Sequence, residues 1–290
     1  MLNCKDYWSF YKIKNPLVGS DLSNVDKCNF YCMDCETNEF KSFCTDQVMH
    51  TFSNDWRHHN FNCECNEKKV YKGIDICFTI DSTGSMSKYI EKSRDIINKI
   101  VKESKIHLDK INENINSLRI SVVAYRDHCD GNKITEQIEF TDAKKAIDFL
   151  TNLEAFGGGD APEAVADGLD ISLKLNWRQD SNDKFLFLVL DSPPHGRQYI
   201  NRGDDYPDGC PCNLNIKTIL NELIDKKGIK VYVLKLNSSL NLMEKEFKKY
   251  NSKIVFIDTE TSNSLLKIEE TVVSVVCKAL EDKEITIQKY

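Results

Sequence analysis

The sequence predicts an α/β fold: a doubly wound, mainly parallel sheet flanked by helices, preceded by a small Cys/His-rich module. Three observations predict it. Beyond Lys69, short apolar runs alternate with amphipathic segments of helical period, as in repeated strand–helix units. One run, Lys184 to Leu190 (KFLFLVL), is almost unbroken, which suits a central strand covered on both faces. Polar, glycine-containing strings directly follow the strands, where ligand loops of such sheets lie.

Val70 to Ile80 reads as the first strand, with Ile74, Ile76, Phe78 and Ile80 on one face. Lys88 to Asn114 reads as a long helix, with Ile90, Ile97, Val101, Leu108 and Ile111 at helical spacing. Leu118 to Tyr125 and Ile134 to Phe140 are further strands. Thr141 and Asp142 are N-cap residues for a helix from Ala143 to Leu153. Pro162 suits the first turn of a helix running to about Trp177. After the KFLFLVL strand, Asn213 to Lys227 reads as a helix ended by Gly228. Ile229 to Leu236 and Ile254 to Ile257 are strands. Ser262 to Leu280 closes the domain, with Leu265, Ile268, Val272, Val276 and Ala279 on one stripe.

The expected organisation is a Cys/His-rich module at 1–69, the α/β domain at 70–283 and a tail at 284–290. A net charge of −6 argues against general nucleic-acid binding, which needs an excess of Lys and Arg. No stretch reaches the roughly 20 apolar residues of a membrane span. The N-terminus lacks the basic start and apolar run of a signal peptide. The expectation is therefore a cytoplasmic setting, where the twelve cysteines stay as thiols or bind metal.

Three loops carry candidate chemistry. Asp81-Ser82-Thr83-Gly84-Ser85 follows the first strand and groups an acid and two hydroxyls around a turn. Gly157-Gly158-Gly159-Asp160-Ala161-Pro162-Glu163 leads into a helix, and Asp191-Ser192-Pro193-Pro194-His195-Gly196 follows KFLFLVL. Taken singly, the first is only a turn, the glycines a flexible link or phosphate cradle, and Asp191 a turn cap. Together, at one end of the sheet, they form an all-oxygen site suited to Mg²⁺, with Mn²⁺ or Ca²⁺ as alternatives. His195 reads as a loop hydrogen-bonding residue, and Cys77 and Cys277 as buried small hydrophobes. Cys210-Pro211-Cys212 hints at a second metal, but a short C-x-C is weak by itself.

This arrangement resembles the metal ion-dependent adhesion site (MIDAS) of von Willebrand factor A (VWA) domains, a Rossmann-like family with a D-x-[ST]-x-S loop after the first strand. The resemblance spans Val70 to roughly Asp282. It implies that Thr83 and Ser85 bind the cation through their hydroxyls, and that Asp81 and Asp191 hold it directly or through water. Asp160 falls where many members place a threonine. GGGDAPEAV, LDSPPHG and DDYPDG are similar to the subgroup associated with alpha-protein kinases and some matrix proteins. Three carboxylates around one ion should tighten metal binding while weakening its pull on a partner's acidic side chain.

Before Lys69, Cys28, Cys32, Cys35, Cys44 and His50 precede His58, His59, Cys63 and Cys65. Thiolates and imidazoles at short spacings suit tetrahedral Zn²⁺, which would stabilise a segment with little core. Cys32, Cys35, Cys63 and Cys65 are the first ligand choice, and Cys28, Cys44, His50, His58 and His59 candidates for a second site; ordinary free thiols are the alternative. Part of the segment resembles B-box-type fingers, although the spacings differ and miss the RING cross-brace.

The functional expectation is a non-enzymatic, divalent-cation-dependent protein-binding module. Its partner would dock an acidic residue or the polar loops, with 192–212 setting specificity. One alternative is a member of the alpha-kinase/VWA family lacking a kinase domain: the flanking segments are short, and no glycine-rich nucleotide loop with a matching lysine is seen. A cation-assisted hydrolase would need a base, for which only His195 is available. A third alternative is a ubiquitin-pathway adaptor with a zinc module.

Overall fold

The computed structural model describes residues 31–33, 40–43, 73–110, 118–131, 133–179, 183–201, 203–258 and 264–288. The chain divides into two units, Met1–Tyr71 and Lys72–Tyr290. In the first, β1 (Tyr31–Met33) and β2 (Phe40–Phe43) pair antiparallel, with a register shift between Cys32 and Met33. Only the backbone of Cys32 is described. The other candidate zinc ligands, Cys28, Cys35, Cys44, His50, His58, His59, Cys63 and Cys65, lie outside the described residues.

The second unit is built on six strands: β3 (Ile74–Asp81), β4 (Leu118–Tyr125), β5 (Thr135–Thr141), β6 (Lys184–Leu190), β7 (Lys230–Lys235) and β8 (Val255–Asp258). Their order across the sheet is β5-β4-β3-β6-β7-β8, and β5 alone runs antiparallel to its neighbour. The predicted doubly wound, mainly parallel sheet is therefore observed. Connections run one way from β3 to β5, then return to start again at β6. Strand order thus reverses between β3 and β6, which opens a crevice beyond their carboxyl ends.

Every residue of β3 and β6 is buried, because helices cover both faces. On one face, Leu186, Leu188, Leu190, Val231 and Val233 meet the apolar sides of α3 (Val165–Lys174), α4 (Ile216–Asn221) and α5 (Asn241–Tyr250). Buried stripes on α1 (Ser87–Lys110) and α6 (Ser264–Gln288) supply the second cover, including Ile90 and Ile97 from one and Ile268, Val272 and Val276 from the other. These two helices pack together, and α1 also meets α2 (Ala143–Asn152). Glu269 of α6 takes Lys92 and Lys99 of α1, the latter at 2.8 Å.

Trp177 anchors the end of α3: its Nε1 donates to Ser172 O at 2.8 Å and its ring meets Phe140 edge-on at 4.7 Å. At 2% exposure it fills space that no neighbour can reclaim. Trp177→Ala is expected to cost about 3–5 kcal/mol, lowering the melting temperature by roughly 10 °C in a thermal unfolding scan.

Some sequence expectations are corrected. The helix predicted from Pro162 begins at Val165, because the Glu163 amide donates to Pro193 O (2.9 Å) and the Ala164 amide to Arg126 O (2.9 Å). Those donors are drawn sideways into a parallel bridge, Glu163 to Pro194, instead of joining a helical ladder. The helix predicted from Asn213 begins at Ile216, since Asn213 sits at φ 58° and Asn215 is the cap. It continues as a π-turn from Glu222 to Lys226, and Gly228 at φ 65° follows. Thr141 ends β5, while Asp142 alone caps α2, accepting from Lys145 N at 3.0 Å. α5 was not anticipated, although Leu240, Met243 and Phe247 carry its helical spacing.

Candidate metal centre

The crevice at the strand reversal receives the loops after β3 and β6. Asp81, the last residue of β3, is fully buried. Its Oδ1 accepts from the amide (2.9 Å) and hydroxyl (2.7 Å) of Thr83, which closes the turn. A hydroxyl that donates still keeps its lone pairs for a cation. Gly84 to Met86 form a 3₁₀ turn that leaves Ser85 exposed at the rim. Ser82 is drawn to β4, with its amide (2.8 Å) and hydroxyl (2.9 Å) on Tyr125 O.

The glycine loop lies across this turn: Phe156 N donates to Ser82 O (3.1 Å) and Gly84 N to Gly157 O (3.4 Å). Gly157 and Gly158 have φ 80° and 86°, a region open to glycine at little cost. A Cβ on Gly157 would fall 2.2 Å from the Asp130 carboxylate. One on Gly158 would lie 3.1 Å from Glu163 Oε1 and 3.3 Å from Thr83 Cβ, so Glu163 and Thr83 converge beneath this glycine. On the third loop, the Asp191 carbonyl accepts from Asn237 Nδ2 (2.5 Å) and Ser239 Oγ (3.1 Å), which holds it to the end of β7.

Asp81, Glu163 and Asp191 are close enough to act on one another electrostatically. Burial pushes the Asp81 carboxyl up to about 7, against the lowering effect of Thr83's two donations; Asp191 adds to the rise and Arg126 opposes it. Burial raises Glu163 to about 10, with Asp81, Asp127, Asp130 and Asp191 adding to the effect. Asp81 Oδ2, Glu163 Oε2, Asp160 Oδ1 and the Tyr125 hydroxyl are among the buried groups without a hydrogen-bond partner. Unpaired buried carboxylate oxygens are costly, and a divalent cation would supply the missing partner. The donor set is all oxygen. It fits a hard cation such as Mg²⁺.

The structure brings Asp81, Thr83 and Asp191 to the crevice, leaves Ser85 at its rim, and ties one oxygen of Asp160 to the neighbouring loop while its Oδ1 stays buried without a partner. Asp160 Oδ2 accepts from Asp205 N (2.8 Å), and its carboxylate lies within 4.8 Å of Asp127 and His195. The acid facing Thr83 is Glu163. His195, 3% exposed, is held from both sides, Nε2 by Asp127 and Nδ1 by Asp204, each at 2.8 Å. Burial alone would lower its pKa, but these two carboxylates raise it. It is a hydrogen-bonding residue, poorly placed to accept a proton from water. Burial would likewise raise Asp127, yet His195, Cys129 and the His128 amide hold it at about 2.

Sequence reasoning missed Glu163, Asp127 and Asp204. Arg126-Asp127-His128-Cys129-Asp130-Gly131 follows β4 just as the Asp81 loop follows β3. Looking beyond every strand end would have found it.

Residues 75–202 match the family model described as von Willebrand factor A domain. Over 152 residues the chain is 27% identical to the alpha-protein kinase vwkA of Dictyostelium discoideum, a stretch covering 52% of this chain and 23% of that protein. Over 122 residues it is 28% identical to the putative ariadne-like RING finger protein R811 of Acanthamoeba polyphaga mimivirus, covering 42% and 11%. The matched stretches thus span about a quarter or less of these relatives. Two crystal structures of the pilus adhesin SpaC from Lactobacillus rhamnosus GG are similar, at 13% and 14% identity. Each has a TM-score of 0.49 and covers 72% of this chain, and 31% and 30% of theirs. No helix among the described residues is long and apolar enough to cross a membrane. With the D-x-T-x-S loop after β3 and the strand reversal beside it, residues 75–202 form a von Willebrand factor A domain.

Proposed function

We propose that the α/β domain binds one Mg²⁺ at Asp81, Thr83, Ser85 and Asp191, with Glu163 as the further acid, and presents this face to a protein partner. The observation that carries the reading is the pair of unpaired, buried carboxylate oxygens on Asp81 and Glu163 beside the Thr83 hydroxyl. The ion would polarise an incoming oxygen ligand, such as a partner's carboxylate. With Asp81, Asp191 and Glu163 already at the site, that attraction would be weaker than at a less acidic one, and the polar loops would carry more of the recognition.

Related segments in an alpha-protein kinase and a putative RING finger protein support a recognition module joined to unlike activities, and not a chemistry shared among them. The same reading makes this chain non-enzymatic. The same proposal keeps the chain in a reducing, cytoplasmic setting.

Calorimetric titration of metal-stripped full chain with Mg²⁺ tests the site. About one ion per chain is expected at this site, with affinity reduced at least tenfold in Asp81→Asn and Thr83→Ala. Unchanged Mg²⁺ binding in both variants would overturn the assignment. Peptide-display selection with Mg²⁺ or EDTA tests the docking step: binders that ignore EDTA would refute cation dependence.

A further inference from the structure

On the rim beside this centre, three separate parts of the fold bring a second donor set together. His128 lies in the 3₁₀ turn after β4, where Asp127 and Asp130 fix the backbone through a capping box. Asp167 is in the first turn of α3. Cys210 and Cys212 flank Pro211 in a turn closed by Asn213 N donating to Cys210 O at 3.0 Å. His128 Nε2 is 3.3 Å from Asp167 Oδ2 and 3.7 Å from Cys210 Sγ. Cys210 Sγ is 3.2 Å from the same Asp167 oxygen. These three donor atoms lie within 4.8 Å of one another, and Cys212 stands two residues from Cys210 in the same turn.

These separations discriminate between a chance polar cluster and a metal cage. Tetrahedral Zn²⁺ has bonds of about 2.0–2.3 Å to N, O and S, which sets donor–donor edges of roughly 3.3–3.8 Å. The three distances among His128, Asp167 and Cys210 lie at or within about 0.1 Å of that range before any adjustment. The imidazole and the thiols are the borderline and soft ligands that favour Zn²⁺ over Mg²⁺, and a carboxylate oxygen is also accepted by zinc. The nearby triad of Asp127, Asp160 and His195 differs, because both nitrogens of His195 already face carboxylates.

We infer that His128, Asp167 and Cys210 form the core of a structural Zn²⁺ site, which Cys212 completes from the same turn, distinct from the Mg²⁺ centre and from the Cys/His-rich first unit. Four protein ligands leave no open position, so the ion's role is to fasten, not to react. Among the described residues from Asp191 to Asn215, between β6 and α4, there is no helix or strand of the main sheet. Zinc would pin the far end of this segment to β4 and α3, and so hold the loop that borders the proposed docking face.

The test measures zinc per chain by elemental analysis of full-length protein purified under reducing conditions and dialysed against metal-free buffer. The paired variant Cys210→Ser/Cys212→Ser and the single variant His128→Ala are each expected to carry one zinc fewer than wild type. His128→Cys, which restores a ligand, is expected to keep it. Taking the difference between proteins removes any zinc held by the first unit. Co²⁺ substitution adds a spectroscopic readout: thiolate-to-cobalt charge-transfer absorption should fall in the paired variant while the Mg²⁺ titration persists, which also shows that the domain remains folded. Equal zinc content in wild type and variants would overturn the inference, as would a Cys210–Cys212 disulfide in the freshly purified protein.

Discussion

Metal-stripped protein is expected to lose stability steadily as the pH rises from about 5 to 8, and saturating Mg²⁺ is expected to remove most of that loss. Asp81 and Glu163 carry the effect. Their ordinary values are 3.8 and 4.5, while in the fold they stand at about 7 and about 10. Groups raised in this way stabilise fully below their unfolded pKa, because the folded state then holds protons as firmly as the unfolded chain. Between the two values the unfolded chain releases a proton that the fold retains, so unfolding becomes easier by up to about 1.4 kcal/mol per pH unit and group. Asp81's share flattens near pH 7; Glu163's continues beyond.

Other titrations can be separated from this one. Asp127, depressed to about 2, contributes stability above its ordinary 3.8 that is lost only in stronger acid. His195, raised above 6.5, adds a loss in the same direction at higher pH, but it does not depend on Mg²⁺. Bound Mg²⁺ needs both carboxylates ionised, so it should flatten or invert the slope. Melting temperatures across the pH range, with EDTA and with Mg²⁺, provide the check. Glu163→Gln should flatten the EDTA curve and weaken Mg²⁺ binding together. A wild-type curve that is flat in EDTA would mean the two acids are not buried as described.

Arg126→Met is expected to cost about 2–4 kcal/mol, since it leaves the Lys133 and Glu154 carbonyls without their donor. Arg126 is fully buried at the end of β4. It donates to Lys133 O (3.1 Å) and Glu154 O (2.8 Å), pairs with Glu136 at 2.8 Å, and lies 4.1 Å above the Phe156 ring. One side chain thereby joins the β4–β5 turn to the start of the glycine loop. It also opposes the upward shift of Asp81, so its removal should raise the acid's pKa further and shift Mg²⁺ binding to higher pH. Chemical denaturation and pH-resolved Mg²⁺ titration measure the two effects. A variant with wild-type stability would show that the backbone holds these loops without it.

The sheet was legible because β3 and β6 carry their burial in composition: Ile74, Ile76, Phe78 and Ile80 alternate, and KFLFLVL does not. Asp81, Thr83 and Asp191 were legible because they follow those strands directly. Glu163 was not. Pro162 marks a helix start by local rules, whereas the chain there is claimed by Pro193, some thirty residues away, through a contact that no local pattern encodes. Asp160 was legible as the acid next to the glycines, but its bond to the Asp205 amide, from a distant loop, was not. The His128, Asp167, Cys210 and Cys212 group was visible only as a C-x-C fragment, since its members come from three distant segments.

Consider how the rim is fastened. Ser82 to Tyr125, Phe156 to Ser82, Gly84 to Gly157, Glu163 to Pro193 and Ala164 to Arg126 are all amide-to-carbonyl links. Peptide groups are common to every residue except the missing donor of proline. Exposed positions outside the metal site, such as Asp205, can therefore change identity without unseating their neighbours. The rim behaves as a keyboard on a fixed frame: selection, or a protein engineer, can retype what docks there while the loops keep their places.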